Sequence, residues 1–309
     1  MHIRVCSIDG VEYIEQDGVG ELLTKYWAPS WGIDRIDQRS GTDGTFTINI
    51  NNPGKGVKIY AVGTGLQITH SVFTHRARLL YGKSDASGHG THCAGIAGGA
   101  TYGVARDALL RSVRICDSVG QCYISRLFEG LDAVSKDGSQ VTNKGVVMIP
   151  LAFGSSPSIN TIVQKLWDEG FVVTTAAGNA FSSACETSPQ SLSDIITVAG
   201  TDKDDRRLSY SSYGSCVDIF APCKDILSAT FSSSSNSATA TASGTSFACA
   251  HMAGAAAMYL GVNSGSSPSD VKNAFLDNAT KDVVIDPHGS PNKLLYVNVS
   301  FVEKIINLL

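Results

Sequence analysis

Residues 56–65 read GVKIYAVGTG, a run in which Val57, Ile59, Tyr60, Ala61 and Val62 are apolar and only Lys58 interrupts before a Gly-Thr-Gly stop. A short segment apolar on successive positions and halted by glycine reads as a strand covered on both faces. Similar runs return at 108–115, 145–152, 171–176 and 194–199, with a shorter one at 216–220. Helical stretches separate them, at 89–98, 125–136, 160–169, 245–260 and 268–278. In the second of these Leu127, Phe128, Leu131 and Val134, with Ile124 just before it, share one side, and Pro268 sits in the first turn of the last. Buried strands alternating with helices predict an α/β fold with a doubly wound, mainly parallel sheet and helices on both faces. Such a sheet binds its ligand beyond the carboxyl ends of the strands, where the polar motifs of this chain fall.

A chain of 309 residues buries one large core. Its 24 basic and 28 acidic side chains give a net charge of −4 without long runs of one sign, so neither a nucleic-acid nor a membrane partner is expected. No stretch reaches the ~18 apolar residues of a membrane span, and charges interrupt the opening MHIRVCSIDGVEYIEQDG, which does not read as a signal peptide. Residues 1–18 read as a strand pair, 24–54 as a wrapping segment with a short helix at 32–37, and the Ser-rich 232–237 as a surface loop. Eight cysteines contain no CxxC pair and no zinc-finger spacing. Composition leaves two readings open, a few disulfides in an oxidised domain or scattered buried thiols. Cys93 and Cys249, set among small helical residues, read as buried thiols.

Three residues are candidates for chemistry. Ser246 lies in SGTSFACAHMAG (243–254), at the mouth of an Ala/Gly-rich helix whose first-turn amides favour negative charge beside them. The competing role is an N-terminal cap. His89, in SGHGTHCAG, is placed to act as a general base. His92 shares its helix face but lacks the spacing and glutamate of a zinc helix, and is expected to be a buried, hydrogen-bonded histidine. Asn179 closes the strand VVTTAAGN (172–179), either as a turn residue or as an amide donor facing the crevice.

Together and in this order, GVKIYAVGTG, GHGTHCAG, VVTTAAGN and SGTSFACAHMAG resemble the signature blocks of the subtilisin-like serine proteases. YGVAR (102–106), RRLSYSSYGSCVDIFAP (206–222) and SWGIDRID (30–37) resemble the proteinase K branch. The resemblance spans 24–299 and implies a peptidase domain over 24–300, preceded by the tail of an inhibitory prodomain (1–23, from VEYIEQD) and followed by a C-terminal tail (301–309). It implies Ser246 as nucleophile, His89 as general base and Asn179 as oxyanion donor, acting on a polypeptide. In subtilisin itself, a member of this family, losing such a donor costs about 3 kcal/mol. A secreted monomer is expected, with folding assisted by a prodomain. No cofactor is needed for the chemistry. The resemblance further implies a structural calcium held by Asp218 with the carbonyls of Ser193 and Ile195, although a strand-end aspartate equally caps a turn. It also implies a Cys185–Cys216 disulfide, while Cys116 and Cys122 are spaced to close a substrate-side loop, a pairing that spacing alone leaves open.

Two departures qualify this reading. The family's strand ends in Asp-Thr-Gly or Asp-Ser-Gly, and here Gly63 holds the aspartate's place. In subtilisin, loss of that residue alone lowers turnover about 3 × 10⁴-fold, or about 6 kcal/mol. Asp85, the nearest carboxylate in sequence to His89, lies in a loop and is not expected to replace it. The family's Ser-Leu-Gly-Gly, whose bare backbone pairs with an extended peptide, becomes Pro150-Leu151-Ala152-Phe153-Gly154. Proline removes an amide and Phe153 adds a ring, so a narrowed or partly filled pocket is expected. The resulting expectation is a serine endopeptidase impaired at Gly63. The alternative is an inactive pseudoprotease that binds a protein.

Overall fold

The computed structural model describes residues 24–48, 51–139 and 144–297, and the strand pair, prodomain tail and C-terminal tail expected at 1–23 and 301–309 lie outside them. Among the described residues nine strands make one sheet: β1 (Lys58–Gly63), β2 (Ala77–Tyr81), β3 (Leu109–Arg114), β4 (Val146–Ile149), β5 (Val172–Ala176), β6 (Ile196–Thr201), β7 (Ile219–Pro222), β8 (Thr280–Lys281) and β9 (Lys293–Leu294). Their spatial order is β8-β9-β7-β6-β5-β4-β1-β3-β2, parallel throughout except for the β8–β9 pair. Among the described residues six α-helices accompany it: α1 (Trp31–Ile36), α2 (His89–Gly98), α3 (Ile124–Gly138), α4 (Pro157–Asp168), α5 (Thr245–Val262) and α6 (Pro268–Asn278).

Side-chain alternation along the strands divides most of the core between the two faces of the sheet. Ile59, Ala61, Val146 and Met148 join Ala94, Ala97, Ala253 and Ala257 of α2 and α5 on one face. Tyr60, Val62, Val147 and Ile149 join Leu127, Leu131, Val163 and Leu166 of α3 and α4 on the other. Both sets are buried, which is why these strands carry apolar residues at consecutive positions. The doubly wound arrangement read from the sequence is therefore present. Strand order reverses between β1 and β4, so the switch point lies beyond Gly63 and Ile149.

Some elements were not anticipated. The edge strand β2 is half exposed and lacks a continuous apolar run. The Ser-rich loop connects an antiparallel hairpin, Ile226–Ala229 with Thr239–Ala242, whose second strand carries only Thr and Ala. Helix α4 begins three residues earlier than expected, because Ser156 caps it and Pro157 fills its first position.

The small residues of α2 and α5 let the two helices approach backbone to backbone. A β-carbon at Gly254 would stand 2.6 Å from the carbonyl oxygen of Ala97 and 2.8 Å from Val104 Cβ. Gly254→Val therefore forces these helices apart, and a loss of about 1–3 kcal/mol is expected in urea unfolding. An unchanged midpoint would remove close approach as the reason for glycine here.

Candidate active site

Beyond the switch point lies a cavity of about 440 Å³, open to solvent. Pro150, Leu151 and Ala152, following β4, line one side and Gly120 and Cys122 also line it. His89, Asn179 and Ser246 all line the same cavity. The structure thus brings together the three residues that the sequence singled out from distant segments.

Ser246 is the second residue of α5, and its hydroxyl donates to the carbonyl oxygen of Pro150 at 2.9 Å. As a first-turn residue it presents an amide free of intrahelical bonding. The Asn179 side chain is oriented by its neighbour: Oδ1 accepts from the Thr245 amide and hydroxyl, each at 3.0 Å. The Thr245 hydroxyl in turn accepts from the Gly178 amide at 3.2 Å. With Oδ1 committed, Nδ2 is left as a donor without a hydrogen-bond partner among the described residues, beside the start of the same helix. Two N–H groups, Asn179 Nδ2 and the Ser246 amide, are thus available for developing negative charge. Thr245 was missed by the sequence reading, although its position before the serine was visible.

His89 opens α2 and is half-buried. Burial pushes its pKa down while the charge of Asp85 acts in the opposite direction, so the ring is neutral near pH 7 and able to accept a proton. Cys93, one turn on, places Sγ 3.9 Å from His89 Nε2 and 3.9 Å from the Ser246 carbonyl oxygen. Burial holds that thiol well above its ordinary pKa, so it packs under both residues as a neutral group. Asp85 is occupied elsewhere. Its Oδ1 accepts from Thr64 Oγ1 at 2.9 Å and from the Ser87 and Gly88 amides, and its Oδ2 accepts from the Thr91 amide and hydroxyl. This carboxylate fastens the start of α2, and among the described residues none is hydrogen-bonded to His89.

Gly63 ends β1, and its carbonyl accepts from the amides of Ile115 and Cys116 at 2.9 and 3.1 Å. A β-carbon there would meet no heavy atom within 4 Å. The glycine is therefore not required by crowding.

The segment Pro150-Leu151-Ala152-Phe153-Gly154 differs from expectation at its far end. Phe153 and Gly154 lie outside the cavity, pairing as a short strand with Thr187–Ser188. The Phe153 ring packs onto the outer core beside α3 and α4, so it does not fill the pocket. Leu151 is held by its carbonyl, which accepts from Gln190 Nε2 at 2.9 Å.

Cys116 is bonded to Cys122, which clamps the loop bearing Gly120, and Cys185 is bonded to Cys216. Cys93, Cys223 and Cys249 are free and buried. The oxygens expected to hold calcium do converge, but around an ammonium: Lys272 Nζ donates to the Ser193 and Ile195 carbonyls at 2.7 and 2.8 Å and pairs with Asp218 Oδ1 at 2.7 Å. With that cation in place the residues present do not fit a calcium ion, and the lysine, distant in sequence, gave no signal of this role.

Comparison with known proteins agrees with this geometry. The subtilase family profile matches residues 54–295. The chain is 40% identical over 295 residues to an extracellular serine proteinase of Thermus sp. (strain Rt41A), covering 93% of this chain and 70% of that protein. It is 37% identical to subtilisin-like protease 3 of Pseudogymnoascus destructans, covering 95% and 76%. A solved structure of a cold adapted subtilisin-like serine proteinase superposes with a TM-score of 0.81 at 37% identity, over 86% of this chain and 97% of that one.

Behind the site, His92 and His251 are buried histidines whose pKa values burial pushes down to about 4. His92 Nε2 lies 3.1 Å from the Ile226 and Ala240 carbonyls, and His251 Nδ1 lies 2.8 Å from that of Phe247. Unfolding returns both rings to about 6.5, so between pH 6.5 and 4 the unfolded chain binds more protons and stability falls as pH falls. Above that window they contribute no slope. His251→Gln is expected to flatten the dependence by up to about 1.4 kcal/mol per pH unit, read from urea midpoints at pH 7, 5.5 and 4.5. A slope equal to that of the parent chain would contradict the assignment.

Proposed function

Since the chain belongs to the subtilase family, we propose that it is a serine endopeptidase whose turnover is held down by the absence of a carboxylate at Gly63. The observation that carries this reading is the open cavity shared by Ser246, His89 and Asn179. Ser246 Oγ attacks the carbonyl of an extended peptide, His89 takes the hydroxyl proton, and the oxyanion is held by Asn179 Nδ2 and the Ser246 amide. His89 then returns the proton to the departing amine, and water clears the acyl-enzyme. Without a carboxylate to orient the ring and stabilise its protonated form, proton transfer is the weak step. Oxyanion stabilisation and peptide positioning remain, so residual turnover is retained.

The two disulfides support a secreted protein in an oxidising compartment, and the Thermus relative is named as extracellular. Among the described residues no helix is long and apolar enough to cross a membrane.

A second reading, a pseudoprotease that binds a protein, is favoured by one contact. The Ser246 hydroxyl donates to Pro150 rather than to an imidazole. The unfilled cavity weighs against it.

Gly63→Asp separates the two. The carboxylate enters open space at the end of β1, one residue from Thr64, which lines the cavity with His89. The expected outcome is a rise in kcat of about 10³–10⁴-fold on a peptide ester or amide, with KM little changed. The unaltered chain should label slowly at Ser246 with a serine-directed phosphonate, detected by mass spectrometry. No labelling of the parent chain together with no gain in the variant would leave only the binding role.

A further inference from the structure

At the edge of the sheet remote from the cavity, the amino-terminal ends of β6 and β7 present a cluster of oxygens. Ser193 and Ile195 lie in the turn entering β6 and contribute carbonyls, and Asp218 immediately precedes β7. Asp218 is held from both ends: its Oδ2 accepts from the Thr197 amide at 2.9 Å and its own amide donates to the Thr197 carbonyl at 2.9 Å. Three oxygens and one negative charge are thus fixed before any cation is considered. Lys272, from the second turn of α6, supplies it. The lysine side chain is 12% exposed and that of Asp218 is 19% exposed, so the pair is largely withdrawn from water.

The match is stoichiometric. An ammonium has three N–H donors, and the cluster offers three acceptors at 2.7, 2.7 and 2.8 Å. These are hydrogen-bond lengths, longer than the ~2.3–2.6 Å of calcium–oxygen contacts. A divalent cation and this ammonium cannot share the space.

We propose that Lys272 is a tethered cation standing where a dissociable metal ion would otherwise bind, and that removing its ammonium group uncovers a divalent-cation site built from Asp218, Ser193 and Ile195. A covalently attached cation has no free concentration to fall, so stability here is independent of chelators, whereas a bound ion stabilises only in proportion to its occupancy. The lysine also fastens α6 to the sheet, because its backbone belongs to the helix and its head to two strand entries.

The experiment compares Lys272→Ser with the parent chain by thermal unfolding in EDTA and in 10 mM calcium chloride, with calorimetric titration of calcium into each. In EDTA the variant is expected to unfold about 5 °C lower. Calcium should restore more of that loss in the variant than it adds to the parent, and the variant should bind one further calcium per chain with a dissociation constant of about 1 mM or tighter. A variant that folds only with calcium present supports the proposal equally. Lys272→Met combined with Asp218→Asn removes both charges, and is expected to fold without gaining a calcium. A Tm in EDTA equal to the parent's, or a loss that calcium does not repair with no added calcium bound, would overturn it. None of these readouts depends on peptidase activity, so their outcome is separate from that at Gly63.

Discussion

The close crossing of α2 and α5 is the constraint on which the molecule turns. His89 is the first residue of one helix and Ser246 the second of the other, and both line a common cavity while small residues where the helices meet let them approach closely. Where Gly254 faces the Ala97 carbonyl, even a methyl group would intrude. Ala94, Ala97, Ala253 and Ala257 fill the same seam. Phe247, Met252, Met258 and Leu260 of α5 are buried as well, so these helices are held by apolar burial and, along the seam, by dense van der Waals contact. The placing of His89 and Ser246 and the packing of the core are therefore one arrangement.

Around that seam the polar groups divide their tasks. Asp85 has every nearby donor it can accept, and spends its charge on the loop that launches α2. It reaches the imidazole only through its field, which works against the effect of burial on His89. Beside Gly63 at the end of β1 a side chain would meet open space, and the Gly63 carbonyl accepts two hydrogen bonds. The strand end thus keeps its backbone hydrogen bonds and leaves room for a side chain at Gly63.

Much of this was legible in the sequence, for physical reasons. Doubly buried strands need consecutive apolar residues, and helices packed by backbone need runs of Gly and Ala, so β1, β4, β5, α2 and α5 announce themselves. The polar residues at their ends do so as well, since His89, Asn179 and Ser246 interrupt otherwise apolar or small-residue runs. The half-exposed β2 and the Thr/Ala strand at Thr239–Ala242 carry no such pattern. Phe153 read as an obstruction because its position was known and its direction was not: the ring turns into the outer core. Lys272 was invisible for a different reason. Its partners lie more than 50 residues away, and no local rule links a helix surface lysine to two strand entries.

The bonds that join Asn179 to Thr245 carry a mechanical implication. Thr245 is bonded to the amide on one side and covalently linked to Ser246 on the other, so donor and hydroxyl are mounted on a single bracket. If α5 slides or tilts as the molecule breathes, both travel with it and the spacing between them is conserved. His89 sits on α2 and shares none of these bonds, so a shift between the two helices would change its distance from the hydroxyl while leaving the bracket unaltered.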